Sequence, residues 1–153
     1  MYSTKANYLL PRWYGEDREW VKFAEKASDD LGGDEGKILY FLFAANMADV
    51  YQGRIFIDHD LSWDRIKDGF DSLRRVHGVD NFRLNQELRL ASYAADGQAM
   101  NSLLAEIEDK WDKNIWPDQQ RFQQVKDMAA VLPKTPGDQI ALMRRTGKRK
   151  ENY

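Results

Sequence analysis

The chain has 153 residues, of which 42% are hydrophobic and 12% aromatic, enough apolar side chain for the core of one domain. This composition argues against a disordered chain. There are no cysteines, which excludes disulfide bonds, thiolate nucleophiles and thiolate metal sites. Residues 1–10 do not resemble a signal peptide, and no apolar run approaches the roughly 20 residues of a membrane-spanning helix. We therefore expect a cytoplasmic protein without a membrane span.

The net charge of −2 conceals an uneven distribution along the chain. Residues 134–153 carry six cations against two carboxylates, for a net charge of +4, whereas residues 1–133 carry −6. We predict a single helical domain over residues 1–133 and a basic, flexible tail over residues 134–153. The acidic domain favours a cationic partner, whereas nucleic acid or anionic lipid would bind only through the tail. A solvated surface with a disordered terminus is the simpler alternative.

The first predicted helix covers about residues 16–31, and Gly32-Gly33 ends it because glycine readily adopts the left-handed conformation. Its apolar residues recur at steps of three and four, which places them on one stripe: Trp20, Phe23, Ala24, Ala27 and Leu31. Asp34 is predicted to cap a second helix that ends near Gly53. The stripe of that helix is Ile38, Leu39, Leu42, Ala45 and Ala48.

Ser62 is the predicted cap of a third helix, which ends at Gly78. Leu61 and Ile66 occupy the two positions of a hydrophobic staple around this cap. Asp80 is predicted to cap the fourth helix in the same manner. The expected buried residues are Ile66, Phe70, Leu73 and Val76 or His77 in the third helix, and Leu84, Leu88, Ala91 and Ala95 in the fourth.

A tight turn at Asp96-Gly97 leads into a fifth helix, and a sixth begins at Pro117 or Asp118. The predicted stripes are Met100, Leu103, Leu104, Ile107 and Trp111 in the fifth helix, and Phe122, Val125, Ala129 and Leu132 in the sixth. No segment shows the alternation of a strand. The pattern predicts an all-α fold of about six helices, arranged as stacked antiparallel hairpins.

The opening residues Leu10-Pro11-Arg12-Trp13-Tyr14-Gly15-Glu16, with Trp20, resemble the start of the bacterial domain of unknown function 4034 family. The Ala94-Ala95-Asp96-Gly97 turn, followed by Trp111-Asp112 and Trp116, resembles the end of that family. The resemblance covers about residues 8–116 and leaves the tail after Pro133 outside it. It implies a tetratricopeptide-like helical fold with no established enzymatic activity, and it transfers no catalytic residues.

His59 lies between Asp58 and Asp60 in the segment before the third helix. An imidazole flanked by carboxylates is a candidate general base or metal ligand, so a hydrolase or metal-dependent enzyme at this loop is one hypothesis. Alternating side chains in a loop rarely converge, however. The chain also has no glycine-rich phosphate loop, no Gly-x-Ser-x-Gly and no His-Glu-x-x-His. We therefore predict no catalytic residues, no metal ligands and no cofactor.

Five tryptophans are many for this length, and they fall into two groups. Trp20 and Trp111 lie on predicted stripes and are expected in the core. Trp13, Trp63 and Trp116 lie at helix boundaries, where a partly exposed ring can anchor a partner. Aromatic rings at helix starts also commonly brace neighbouring hairpins, which is the alternative.

Stacked hairpins leave a curved surface free, so our first hypothesis is a non-enzymatic protein-binding module. Its candidate partner-binding residues are Trp13, Asp58, His59, Asp60, Trp63 and Trp116. Small size, an acidic body and the bacterial character of the family also fit an immunity protein that neutralises a basic toxin by tight binding. The alternatives are the enzyme described above and a nucleic-acid or membrane-surface adaptor that acts through the tail.

Overall fold

The computed structural model describes residues 19–56 and 61–132 of the chain. These residues form six α-helices: α1 (Glu19–Leu31), α2 (Gly33–Tyr51), α3 (Trp63–Val76), α4 (Asn81–Ala94), α5 (Gly97–Ile107) and α6 (Gln119–Val131). A short 3-10 helix, Gln52–Ile55, follows α2. Helices account for 80% of the described residues, which contain no strand, so the predicted all-α class is confirmed. None of the described helices is long and apolar enough to cross a membrane.

The helices divide into two compact units, with the boundary between Val79 and Asp80. Helices α1, α2 and α3 belong to the first unit, and α4, α5 and α6 belong to the second. The third and fourth predicted helices, which would form the second of the stacked hairpins, belong to different units, so their pairing and the single domain over residues 1–133 stay predictions.

Helix α2 is the centre of the first unit, because α1 and α3 both pack against it. The sequence predicted one apolar stripe on this helix, but the buried side chains surround it. They are Ile38, Leu39, Tyr40, Phe41, Phe43, Ala44, Ala45, Met47 and Ala48. Apolar residues on all sides are typical of a helix that is covered by neighbours on more than one face.

Two glycines set how closely the neighbouring helices approach α2. A Cβ atom at Gly36 of α2 would overlap the carbonyl oxygen of Ser28 in α1. A Cβ atom at Gly69 of α3 would overlap the carbonyl oxygen of Lys37 in α2. Both obstacles are backbone atoms, so a side chain at either position would force a helix to move.

The predicted caps at Ser62 and Asp80 are confirmed. Ser62 Oγ accepts a hydrogen bond from the backbone N–H three residues later at 3.2 Å, and Asp80 Oδ1 accepts the equivalent bond at 2.9 Å. Asp96 and Asp118 cap α5 and α6 in the same way, at 3.1 and 2.9 Å. Each side chain satisfies a backbone donor that the first turn of its helix leaves free.

The prediction that Asp34 caps the second helix is wrong. The N-cap is Gly32, with φ of 71°, and the helix begins at Gly33, with φ of 60°. Glycine adopts these angles without strain, so the chain turns from α1 into α2 within two residues. Asp34 lies in the first turn of α2, and its carboxylate bonds to α3 instead.

Most of the predicted stripe residues are buried, but several stripe ends are exposed. Eight further stripe residues are only partly buried: Phe23, Leu42, Leu73, Leu84, Ala95, Leu104, Val125 and Leu132. Leu31 is 51% exposed, Val76 is 44% exposed, and His77 is also exposed. Trp111 lies outside α5, because that helix ends at Ile107. The exposed stripe ends share a cause: the periodicity continues past the residue at which a helix leaves its neighbours, and sequence alone does not mark that residue.

Candidate functional site

Four of the six predicted partner-binding residues lie outside the described part of the chain: Trp13, Asp58, His59 and Asp60. Their roles therefore stay predictions, as does the enzyme hypothesis at this loop. Within the described ranges, no three His, Asp or Glu side chains are placed to hold a metal ion. The other two predicted residues, Trp63 and Trp116, have different environments.

Trp63 is the first residue of α3 and is partly exposed. Its ring packs edge-to-face against Phe56, with 6.0 Å between ring centroids. The ammonium of Lys67 lies 5.7 Å from the centroid of the indole, within reach of a cation–π interaction. These contacts hold the ring while part of it remains accessible to solvent.

Three carboxylates follow Trp63 along α3: Asp64, Asp68 and Asp71 are all exposed. Their spacing of four and three residues places them on one side of the helix. Asp64 lies 3.7 Å from Lys67, but its side chain is 93% exposed, so this pair is weak. Asp68 and Asp71 have no ion-pair partner among the described residues. We refer to Trp63 and these three carboxylates as the acidic face of α3.

Other acidic residues of the first unit are used to attach helices to one another. Arg75 of α3 donates to both carboxylate oxygens of Asp34, and Ser72 Oγ donates to the same carboxylate at 3.3 Å. His77 Nε2 lies 2.8 Å from the carboxylate of Glu35. The hydrogen bonds from Arg75 hold the pKa of Asp34 below its ordinary value. Asp34 and Glu35 therefore connect the start of α2 to the end of α3.

A cavity of about 360 Å³ lies where α1, α2 and α3 meet. Its charged lining is balanced, with two cations and two carboxylates: Lys37, Arg65, Asp29 and Asp68. Arg65 bonds to Asp29 at 3.0 Å and lies 4.5 Å from the ring centroid of Tyr40. Burial raises the pKa of Tyr40, which keeps its hydroxyl protonated. Arg65 and Asp29 are thus engaged with each other, and the Tyr40 hydroxyl is not activated as a nucleophile.

In the second unit, Trp116 is only 5% exposed, so the expectation of a partly exposed ring is wrong at this residue. Its indole Nε1 donates a hydrogen bond to Asn85 Oδ1 at 2.9 Å. Its ring packs edge-to-face against Phe122, with 6.0 Å between centroids. The alternative that the sequence left open, a bracing role between helices, is the one that the structure shows.

Asn85 of α4 is fully buried and attaches the loop over residues 108–118 to that helix. Its Oδ1 accepts hydrogen bonds from Trp116 and from the backbone N–H of Asp112, the latter at 3.3 Å. Its Nδ2 donates to the carbonyl oxygens of Asn81 and Lys110, at 2.8 and 3.3 Å. One amide therefore fixes three points of the loop.

A second cavity, of about 380 Å³, lies beside this loop. It is lined by Asn81, Trp111, Asp112, Lys113 and Asn114, and we refer to it as the Trp111 cavity. Trp111 is partly exposed there, although the sequence placed it in the core. Sequence reasoning missed this cavity and the role of Asn85. The only signal was a polar residue beside the predicted stripe of the fourth helix.

Compared with known proteins, the chain matches no family model, no curated protein and no solved structure. The resemblance to the domain of unknown function 4034 family therefore stays a prediction.

Proposed function

We propose that this protein is a non-enzymatic protein-binding module that uses the acidic face of α3 to bind a cationic surface of another protein. The observation that supports this most directly is the row of exposed carboxylates at Asp64, Asp68 and Asp71. Carboxylates that are not neutralised by the fold produce a field that attracts a cationic partner before contact. Trp63 at the start of the row would supply an apolar anchor.

The contrast with Asp34 and Glu35 separates a binding role from a structural one. Those two carboxylates are bonded to Arg75 and His77, and their removal would weaken the fold. Asp68 and Asp71 make no such bond within the described part of the chain. Their replacement should therefore change binding and leave folding intact, which makes the proposal testable.

The test is a charge reversal with a matched control. The variant Asp64→Lys, Asp68→Lys, Asp71→Lys reverses the acidic face of α3. The control, Glu108→Lys, Asp109→Lys, Asp127→Lys, changes the net charge equally at exposed residues of the second unit. A partner captured by the wild-type chain from a lysate of the source cell would be purified, and its association rate measured with each protein.

We expect the acidic-face variant to associate at least about tenfold more slowly at low salt, with a smaller difference at high salt, because steering is screened. The control should stay within about twofold of the wild type under the same conditions. Equal rates for the two variants would refute a specific role of this face. Far-ultraviolet circular dichroism would verify that both variants remain helical.

Within this function, we propose more specifically that the protein acts in the cytoplasm as an immunity protein that covers the active surface of a basic toxin. The small size of the chain and the net negative charge of residues 1–133 support this proposal. A toxin gene or secretion gene next to the gene of this protein would strengthen it. A captured partner that is harmless when expressed alone would refute it while leaving the protein-binding proposal standing.

The alternatives predict different results. Loss of the partner after deletion of residues 134–153 would favour an adaptor that acts through the basic tail. Divalent metal binding that disappears in His59→Ala would favour an enzyme at the Asp58-His59-Asp60 loop. Either result would replace the acidic face of α3 as the proposed site.

A further inference from the structure

Trp111 differs from the other tryptophans of the described residues. Trp20 stacks on Tyr51 with 6.1 Å between centroids, and Trp63 and Trp116 pack against the rings described above. Trp111 makes no ring contact, cation–π contact or side-chain hydrogen bond with any described residue, and it is partly exposed. Burial of a tryptophan removes about 150–250 Å² of surface from water. Trp111 is only partly covered, and no aromatic or hydrogen-bonded contact with another described residue accounts for a tryptophan at this position.

The backbone on both sides of Trp111 is held in place. The carbonyl oxygen of Lys110 accepts hydrogen bonds from Asn81 Nδ2 at 2.7 Å and from Asn85 Nδ2 at 3.3 Å. The N–H of Asp112 donates to Asn85 Oδ1 at 3.3 Å. Because Asn85 is fully buried, the indole is presented from a fixed frame. A preformed site loses little conformational entropy when a ligand binds.

The polar atoms of the Trp111 cavity include both donors and acceptors. Asn81 uses its amide nitrogen on Lys110 and keeps its oxygen as an acceptor. Asp112 accepts one hydrogen bond from the N–H of Asn114 at 2.8 Å and keeps its second carboxylate oxygen. The side chains of Lys113 and Asn114 have no hydrogen-bond partner among the described residues. One positive and one negative charge line the cavity, so the site favours neither a cation nor an anion.

We propose that the Trp111 cavity binds a neutral ring that carries hydroxyl groups, the chemistry of a pyranose sugar. Such a ring has a face of C–H groups that can stack on an indole, and hydroxyls that both donate and accept hydrogen bonds. A cation would also stack on the indole, but the ammonium of Lys113 offsets the attraction of the Asp112 carboxylate. The volume of about 380 Å³ lies within the range of small-ligand sites. This site lies in the second unit and does not depend on the protein-binding proposal.

The test uses the full chain labelled with ¹⁵N, so that each tryptophan indole gives its own N–H signal. Glucose, galactose, mannose and N-acetylglucosamine would each be added up to about 50 mM, which saturates a site with Kd of about 1 mM. At least one sugar should shift the Trp111 signal saturably, while the buried Trp20 and Trp116 signals stay in place. The ligand could be a free monosaccharide or a sugar unit of a glycan. A β-linked trisaccharide distinguishes the two, because it should bind more tightly than a monosaccharide if the natural ligand is a glycan.

Three variants test whether the shift of the Trp111 indole signal reports binding in the Trp111 cavity. Trp111→Ala should weaken binding at least about tenfold, as expected for a central aromatic contact. Trp63→Ala removes a partly exposed tryptophan of the first unit and should leave the affinity within about twofold. Asn114→Ala changes an exposed amide of the cavity, keeps the fold, and should weaken binding several-fold.

Three outcomes would overturn the proposal. The first is the absence of a saturable Trp111 shift with every sugar. The second is a shift with adenosine or a lysine-rich peptide in the absence of a shift with sugars, which would show a different ligand class. The third is protection of the Trp111 indole N–H from exchange with solvent in the free protein, which would show that another part of the chain covers it.

Discussion

In the first unit, α1 and α3 contact an apolar central helix at glycines, whereas in the second unit a loop is attached to α4 by the buried amide of Asn85. The first arrangement depends on shape, because Gly36 and Gly69 leave no space for another atom. The second depends on hydrogen-bonding capacity, because Asn85 satisfies backbone groups of the loop and the buried indole N–H of Trp116. The two units should therefore respond differently to substitutions.

Removal of core volume from the first unit should have the largest effect. Trp20 is fully buried in α1, and Trp20→Ala should lower the free energy of unfolding by about 3–5 kcal/mol because it leaves a large cavity. Urea denaturation followed by circular dichroism measures this change. Trp111→Ala is the comparison, and it should cost clearly less than Trp20→Ala because Trp111 is partly exposed. Similar losses for both would show that the assignment of core and surface tryptophans is wrong.

Removal of the buried amide of Asn85 from the second unit should have the next largest effect on stability. Asn85→Leu keeps the approximate volume but leaves the Trp116 N–H and the Lys110 carbonyl without this partner, so we expect a loss of about 2–3 kcal/mol. Hydrogen exchange should also accelerate in residues 108–118. Asn114→Ala, at an exposed amide of the same loop, should change neither quantity. An unchanged free energy of unfolding in Asn85→Leu would show that water or apolar packing replaces the amide. The second unit would then not depend on hydrogen bonding by Asn85.

Addition of one methyl group at a glycine tests the steric character of the first unit. Alanine in a helix interior is normally more stable than glycine by about 1 kcal/mol. At Gly69 the added Cβ would overlap backbone, so Gly69→Ala should instead lower the free energy of unfolding by about 1–3 kcal/mol. Asp71→Ala, exposed on the same helix, is the reference for denaturation measurements. A stabilised Gly69→Ala protein would contradict the close approach of α3 to α2.

Removal of a helix cap should lower the free energy of unfolding by the same amount in the two units. Ser62→Ala and Asp80→Ala each delete a side chain that accepts a first-turn N–H, and each should cost about 1 kcal/mol. Thermal denaturation of both variants, with Ser62→Thr as a capping-competent control, measures the effect. Unequal losses would show that the surroundings, and not the cap itself, set the contribution.

The smallest expected effect comes from the surface pair of Asp34 and Arg75. Its hydrogen bonds lower the pKa of Asp34 below the ordinary value of 3.8, so the pair stabilises the fold above that value. The contribution should disappear as the pH falls through the lowered pKa of the folded protein. Wild type should therefore melt above Asp34→Asn near neutral pH, and the difference should close in acid. A difference that persisted below about pH 2 would exclude this ion pair as its cause.

Local chemistry explains why much of the helix pattern could be predicted. A cap such as Ser62 or Asp80 requires a polar side chain and a backbone N–H three residues away, and both are visible in the sequence. The helical period likewise predicts which apolar residues share one side of a helix. The error at Asp34 arose because Gly32 also permits a helix start, and a glycine N-cap has no side chain to identify it.

The candidate site was predicted less well, because it depends on contacts between residues distant in sequence. Periodicity placed Trp111 on a stripe, but the end of α5 at Ile107 moves it into a loop. Trp116 lies at a boundary, yet Asn85 and Phe122 enclose it. The buried amide itself could not be predicted, because its partners lie 25 to 31 residues further along the chain.

The glycines at the contacts of α2 with α1 and α3 also limit how this chain can diverge during evolution. Apolar side chains in a core can exchange size with their neighbours, so that one residue shrinks when another grows. Backbone cannot shrink, and the atoms that face Gly36 and Gly69 are carbonyl oxygens. A descendant with a side chain at either position would need a different helix crossing. These two positions, more than any aromatic residue of the core, should therefore mark the ancestry of this helical arrangement.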